Sequence, residues 1–143
     1  MKKLALPILM LLLVFVLTRY IFLIGYIPST SMEPTLKQNS FLVGTRIFSS
    51  LEKGDIIIFR HDGKLLVKRI AGVPGDTFTP SPPLNTDYSN QEEQQNSSLQ
   101  IPEGCYFVLG DNTLHSYDSR YWEDPFVKRE DIVAKLLLPS SNK

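Results

Sequence analysis

The chain has 143 residues, the length of one domain, and its 15 Lys+Arg balance 15 Asp+Glu. Lys2, Lys3 and Arg19 all precede the first acid, Glu33; removing them leaves 12 bases against 15 acids, a mildly acidic remainder. A nucleic-acid binder would show a basic face, so that class is excluded. A single cysteine, Cys105, rules out a disulfide framework and any multi-cysteine metal site, and His61 and His115 are too few for a histidine-rich one.

Met1-Lys2-Lys3 opens an uncharged, largely apolar run over 4–17, which passes Thr18-Arg19-Tyr20 and resumes over 21–27. The first run alone is short for a membrane span, which takes about 20 residues at 1.5 Å each. The full stretch 4–27 suffices if Arg19, on the order of 22 Å along the helix, snorkels to the far interface beside Tyr20 and Tyr26. A cleaved secretory signal competes, yet no Ala-x-Ala follows Leu17. The expectation is an uncleaved transmembrane helix, with 1–27 as a single-pass anchor in the plasma (inner) membrane. Two lysines ahead of the span place the rest of the chain on the extracytoplasmic side.

Beyond the anchor the apolar residues are short β-branched and aromatic runs, predicting strands over 41–48, 55–60, 64–73, 104–109 and 132–138. His61-Asp62-Gly63 reads as a three-residue hairpin loop and Val73-Pro74-Gly75-Asp76 as a turn. The fold class is therefore mainly β: one compact all-β domain, 28–143, behind one amino-terminal transmembrane helix. Within it, 79–100 is almost devoid of apolar side chains and is expected to be a polar surface insertion. Its Asn96-Ser97-Ser98 sequon is close to a chance match in so polar a tract.

Three places could carry chemistry. Strand alternation puts Leu66, Lys68 and Ile70 on one face, and a lysine between apolar neighbours either snorkels from a strand edge or becomes a base of lowered pKa. Pro28-Ser29-Thr30-Ser31-Met32-Glu33-Pro34-Thr35 holds two serines two apart, which in an extended segment face one way. Two prolines stiffen it, as an ordinary polar turn or as the mount of a nucleophile. The run from Gly110 to Trp122 gathers hydroxyl, carboxylate and guanidinium groups that orient one another.

Together these segments resemble a known family. Pro28-Ser29-Thr30-Ser31-Met32-Glu33-Pro34-Thr35-Leu36 is similar to the Ser-x-Ser-Met-x-Pro-Thr box of type I signal peptidases, the Ser/Lys-dyad serine proteases. Gly54-Asp55-Ile56-Ile57-Ile58-Phe59, then Lys68-Arg69-Ile70-Ala71-Gly72-Val73-Pro74-Gly75-Asp76, resemble the next two boxes. Gly110-Asp111-Asn112 with Ser116-Tyr117-Asp118-Ser119-Arg120-Tyr121-Trp122 resembles the last. The resemblance implies Ser31 as nucleophile and Lys68 as general base, with Ser29 and the Ser31 N–H as oxyanion hole. Ser116 would orient Lys68, and Asp118 with Arg120 would brace the site. It further implies a signal peptidase I, a membrane-bound monomer that cuts secretory preproteins after small residues at −1 and −3, without metal or organic cofactor. Relatives commonly carry Arg-Asp-Asn where this chain has Thr113-Leu114-His115, a glycine in place of Glu123, and a larger β insertion before the last box.

Other readings remain. A specialised processing peptidase of the same family would use the same residues. A self-cleaving Ser/Lys protein of the repressor type would lack an anchor and need a DNA-binding segment. A Ser-His-Asp hydrolase would join Ser31 to His61 or His115 and Asp118, although both histidines are expected to be solvent-exposed. A non-catalytic anchored β module would bind partners only. Cys105 is expected to be a small buried strand residue, not a nucleophile.

Overall fold

The computed structural model describes residues 2–78 and 98–137. Helix α1 spans Lys2–Tyr20, followed by β1 (Phe22–Tyr26), β2 (Phe41–Thr45), β3 (Ile56–His61) and β4 (Lys64–Gly72). β5 (Thr77–Phe78), β6 (Leu99–Gln100), β7 (Cys105–Leu109), β8 (Phe126–Lys128) and β9 (Ile132–Leu136) complete the described chain. All pairings are antiparallel: a seven-stranded sheet in the order β1-β2-β9-β3-β4-β7-β8, and a two-stranded ribbon of β5 and β6. The predicted mainly-β class is thus observed. Most of the expected polar insertion, 79–97, lies outside the described residues, and its end at Leu99–Gln100 is strand.

β3 is the centre of the sheet and is buried from Ile56 to Phe59 because both of its faces are covered. Ile56 and Ile58 pack on one side with Met32, Leu36, Leu42 and Leu136. Ile57 and Phe59 pack on the other with Ile70, Val108, Trp122 and Val127. A register shift between β3 and β9 leaves Val133 without a partner, Ile58 facing Ala134 and Phe59 facing Ile132. Such a bulge breaks the strand's alternation, so residues two apart face opposite sides: Ile132 joins the second cluster while Ala134 joins the first.

Two expectations change. The anchor stretch 4–27 is divided: the helix ends at Tyr20, and Phe22–Tyr26 pairs with Phe41–Thr45. The β-branched and aromatic residues there suit a pleated surface, and pairing satisfies their backbone groups. Every residue from 5 to 20 is exposed, although among the described residues no helix is long and apolar enough to cross a membrane. The predicted three-residue hairpin is a two-residue one: His61 pairs with Lys64, and Asp62 and Gly63 take φ of 47° and 71°. Two positive φ values make the type I′ turn that matches strand twist.

Candidate active site

The strand β4 carries Lys68 into the interior. It lies opposite Ile57 with Leu66 and Ile70 on its face, and is 4% exposed. β4 pairs with β7 only from Arg69 onward, Arg69 facing Leu109. Continuing that register by one residue brings Gly110 beside Lys68, and the chain then turns to lay Ser116 on the amine. Lys68 Nζ donates to Ser116 Oγ at 3.0 Å. The lysine is therefore no snorkelling edge residue.

Burial is the largest influence on Lys68 and lowers its pKa; Asp118 pulls it up and Arg120 pushes it down. Asp118, 0% exposed, accepts from Gly110 N at 2.9 Å and from Arg120 Nε and Nη2 at 2.8 and 2.9 Å. The nearby Ser116 hydroxyl also favours the Asp118 carboxylate. Burial would raise the Asp118 pKa, but these bonds outweigh it and hold the carboxyl below its usual range. Arg120 thus offsets part of the upward pull of the Asp118 carboxylate on Lys68, and burial outweighs the rest.

The serines come from the connection between β1 and β2. Residues 31–35 form a turn, not the expected extended segment, with Glu33 N bonded to Thr30 O and Leu36 N to Met32 O. The turn still brings Ser29 and Ser31 together, their hydroxyls 3.3 Å apart. Met32, 1% exposed, plugs the turn into the first core cluster. Asn112 ties it to the loop after β7, donating from N to Ser31 O at 3.0 Å and from Nδ2 to Thr30 O at 3.2 Å. Ser31 and Lys68 line one cavity of about 630 Å³ with Ser29, Ile27, Leu65, Leu66 and Val67. Ser31 Oγ pairs with Ser29 and makes no hydrogen bond to Lys68 among the described residues. All six sequence-expected side chains are gathered: Ser29, Ser31 and Lys68 on the cavity, Ser116, Asp118 and Arg120 behind the amine.

Residues without an assigned role in the sequence reading also hold the site. Arg69 Nε and Nη2 grip Asp111 at 2.7 and 2.6 Å, while Nη1 donates to Gly54 O at 2.7 Å and Nη2 to Thr35 Oγ1 at 3.4 Å. Desolvation acts against the Asp111 charge, yet the Arg69 and Thr35 bonds keep its carboxyl low. One bidentate pair thereby links all four motif segments. The available signal was Arg69 alternating with Lys68 in an apolar strand. Gly110 is the second such residue, since a Cβ there would meet Ser31 O at 2.6 Å and the Ser116 side chain. Gly110→Ala should therefore push Ser116 off Lys68 and lower peptide cleavage at least about tenfold, with a stability loss of about 1–3 kcal/mol. A kcat and melting series on that variant checks both.

The histidines do not complete a triad. His61, expected in solvent, is half-buried with its ring stacked on Trp122 at 3.9 Å, and His115 is exposed with Nδ1 3.3 Å from Asn112 Oδ1. Asp118 bonds neither. Cys105 is half-buried at the start of β7, not fully buried as expected, and does not line the cavity that holds Ser31 and Lys68.

A sequence model of the family described as "Signal peptidase, peptidase S26" matches residues 1–82 and 79–140. A probable signal peptidase I-2 from Synechocystis sp. is 35% identical over 132 aligned positions, covering 77% of this chain and 59% of the relative. A signal peptidase I from Leptolyngbya laminosa is 32% identical over 135 positions, covering 79% of this chain and 66% of the relative. This chain thus spans about three fifths to two thirds of the length of these two. A crystal structure of a signal peptidase I from Enterococcus faecalis V583 is 28% identical, covers 64% of this chain and all of its own, and gives a TM-score of 0.46. The chain belongs to the signal peptidase family, peptidase S26.

Proposed function

We propose that the chain is a membrane-tethered serine endopeptidase that removes amino-terminal signal peptides from secretory preproteins, with Ser31 as nucleophile and Lys68 as general base. The observation that carries this reading is a desolvated lysine amine, bonded to Ser116, on the same cavity as a serine of the family's motif. Ser116 accepts from Lys68, which leaves the lone pair of a neutral amine free for the Ser31 proton.

In the reaction Ser31 Oγ attacks the scissile carbonyl carbon as Lys68 Nζ takes its proton. The oxyanion is received by the Ser29 hydroxyl and by the Ser31 N–H, which donates to no backbone carbonyl among the described residues. The lysine then protonates the leaving amine, activates water, and the acyl-enzyme hydrolyses. The substrate would lie extended along residues 64–67 of β4, whose edge away from β3 has no strand partner among the described residues. The apolar lining from Ile27, Leu65 and Val67 suits small residues at −1 and −3. Ser29→Ala should lower kcat about a hundredfold with little change in KM, the effect of losing one oxyanion donor.

Residues 4–17 of α1 are uncharged and apolar around the helix, a surface that favours an apolar environment and supports α1 as the tether; Lys2 and Lys3 ahead of it support a domain outside the plasma membrane. Incubating the purified chain with a preprotein and sequencing the new amino terminus tests the reading. A cut after small residues at −1 and −3 is expected; capture without cleavage would favour an anchored binding module.

A further inference from the structure

The Ser31 N–H offered to the oxyanion belongs to the peptide that joins Thr30 to Ser31. A trans peptide is planar, and its carbonyl and N–H point opposite ways. Whatever holds Thr30 O therefore aims the Ser31 N–H. Thr30 O accepts from Glu33 N at 3.0 Å, inside the turn, and from Asn112 Nδ2 at 3.2 Å, across from the loop after β7. With both lone pairs of the carbonyl engaged, the peptide is polarised and its N–H becomes a stronger donor. Asn112 N donates in addition to Ser31 O at 3.0 Å, so one residue grips the carbonyls on either side of the Ser31 Cα.

Asn112 is itself held. Asp111 before it is clamped by Arg69, and His115 N donates to Asn112 O at 3.0 Å. The His115 Nδ1 lies 3.3 Å from Asn112 Oδ1. A carboxamide accepts at its oxygen and donates at its nitrogen. Nδ1 therefore carries the proton of that bond, and the end of the amide turned to Thr30 O is Nδ2. Asn112 is half-buried and does not line the catalytic cavity, so it works through Ser31 and not on the substrate.

We propose that Asn112 is a positioning residue, aiming the Ser31 N–H at the developing oxyanion, with His115 setting which end of its amide faces Thr30. The inference rests on the peptidase reading above. Losing Asn112 costs less than losing a direct donor, because Glu33 N still holds Thr30 O.

The test uses the full chain in detergent micelles, a substrate peptide with small residues at −1 and −3, and the matching peptide aldehyde. Ser31 Oγ adds to the aldehyde carbon, its proton passes to Lys68, and the former carbonyl oxygen becomes an oxyanion like that of the reaction. Asn112→Ala should lower kcat about tenfold with KM within about twofold. It should weaken aldehyde binding by the same factor, while the substrate peptide binds a Ser31→Ala background within about twofold. The midpoint of the acidic limb should stay in place, because the base is untouched. His115→Leu, at an exposed position, keeps the fold and should show the same pattern at about threefold. His115→Asn, which retains a donor nitrogen near the place of Nδ1, should restore the parent values. Aldehyde affinity that falls less than about twofold in the folded variants, or that falls no more than affinity for the uncleaved peptide, overturns the positioning role. A parent chain that neither cuts the substrate nor binds the aldehyde defeats the peptidase reading, and the positioning role with it.

Discussion

Lys68→Arg is expected to lower kcat/KM by on the order of a thousandfold or more, the scale of losing a general base. Guanidinium remains protonated at every accessible pH and cannot accept the Ser31 proton. Lys68→Met separates chemistry from packing, because it keeps the stem and removes the amine. It should be equally inactive yet fold as well as the parent, since burying an amine is itself unfavourable. The parent enzyme should gain activity as pH rises, along an acidic limb whose midpoint lies below the ordinary lysine value of 10.5. The direction follows from burial, which disfavours the ammonium in the folded state. The same shift means that the lysine opposes folding fully below its folded-state pKa, and this penalty fades as pH rises from there to the ordinary value of 10.5. Substantial cleavage by Lys68→Arg at the same bond would defeat the Ser31–Lys68 assignment and bring back the histidines.

Asp118→Ala should be the most destabilising change at the site, by about 3–5 kcal/mol, and should lower the melting temperature by roughly 10 °C or more. It leaves Arg120, whose side chain is 11% exposed, as an unpaired buried cation, and strips Gly110 N of its acceptor. Asp118→Asn keeps the shape and one acceptor oxygen, and should cost about 1–3 kcal/mol. Urea melts of the three proteins in one detergent check the order; a loss below about 1 kcal/mol for the alanine variant would show the cluster to be dispensable for folding. Asp111 and Asp118 both titrate below the ordinary 3.8, so their contribution is complete above that value and is lost as pH falls through their folded pKa values.

Five strands were legible in the sequence, β2, β3, β4, β7 and β9, because each is a run of β-branched and aromatic residues bounded by turn formers. Lys68 was legible as a basic residue set between Leu66 and Ile70, but alternation left both a snorkelling edge lysine and a buried one open, and only the sheet shows it buried. The short β8 was not, since Phe126–Lys128 has too few residues to show a period and is recruited by pairing with β7.

What tertiary structure decided is where each of these groups points and what it touches. The apolar stretch 21–27 has the hydropathy of a membrane helix, and only the partner strand Phe41–Thr45 makes it an edge strand. Ser29 and Ser31 meet through a turn held by Met32 and Asn112, not through an extended backbone. The placement of Ser116 depends on Gly110, where the backbone must run too close to Ser31 for any side chain. Local sequence determines strand propensity and the chemical type of a residue. The contacts that lower the Lys68 pKa and fix Ser116 upon it join residues 48 apart, and long-range burial of that kind arises only when the sheet closes.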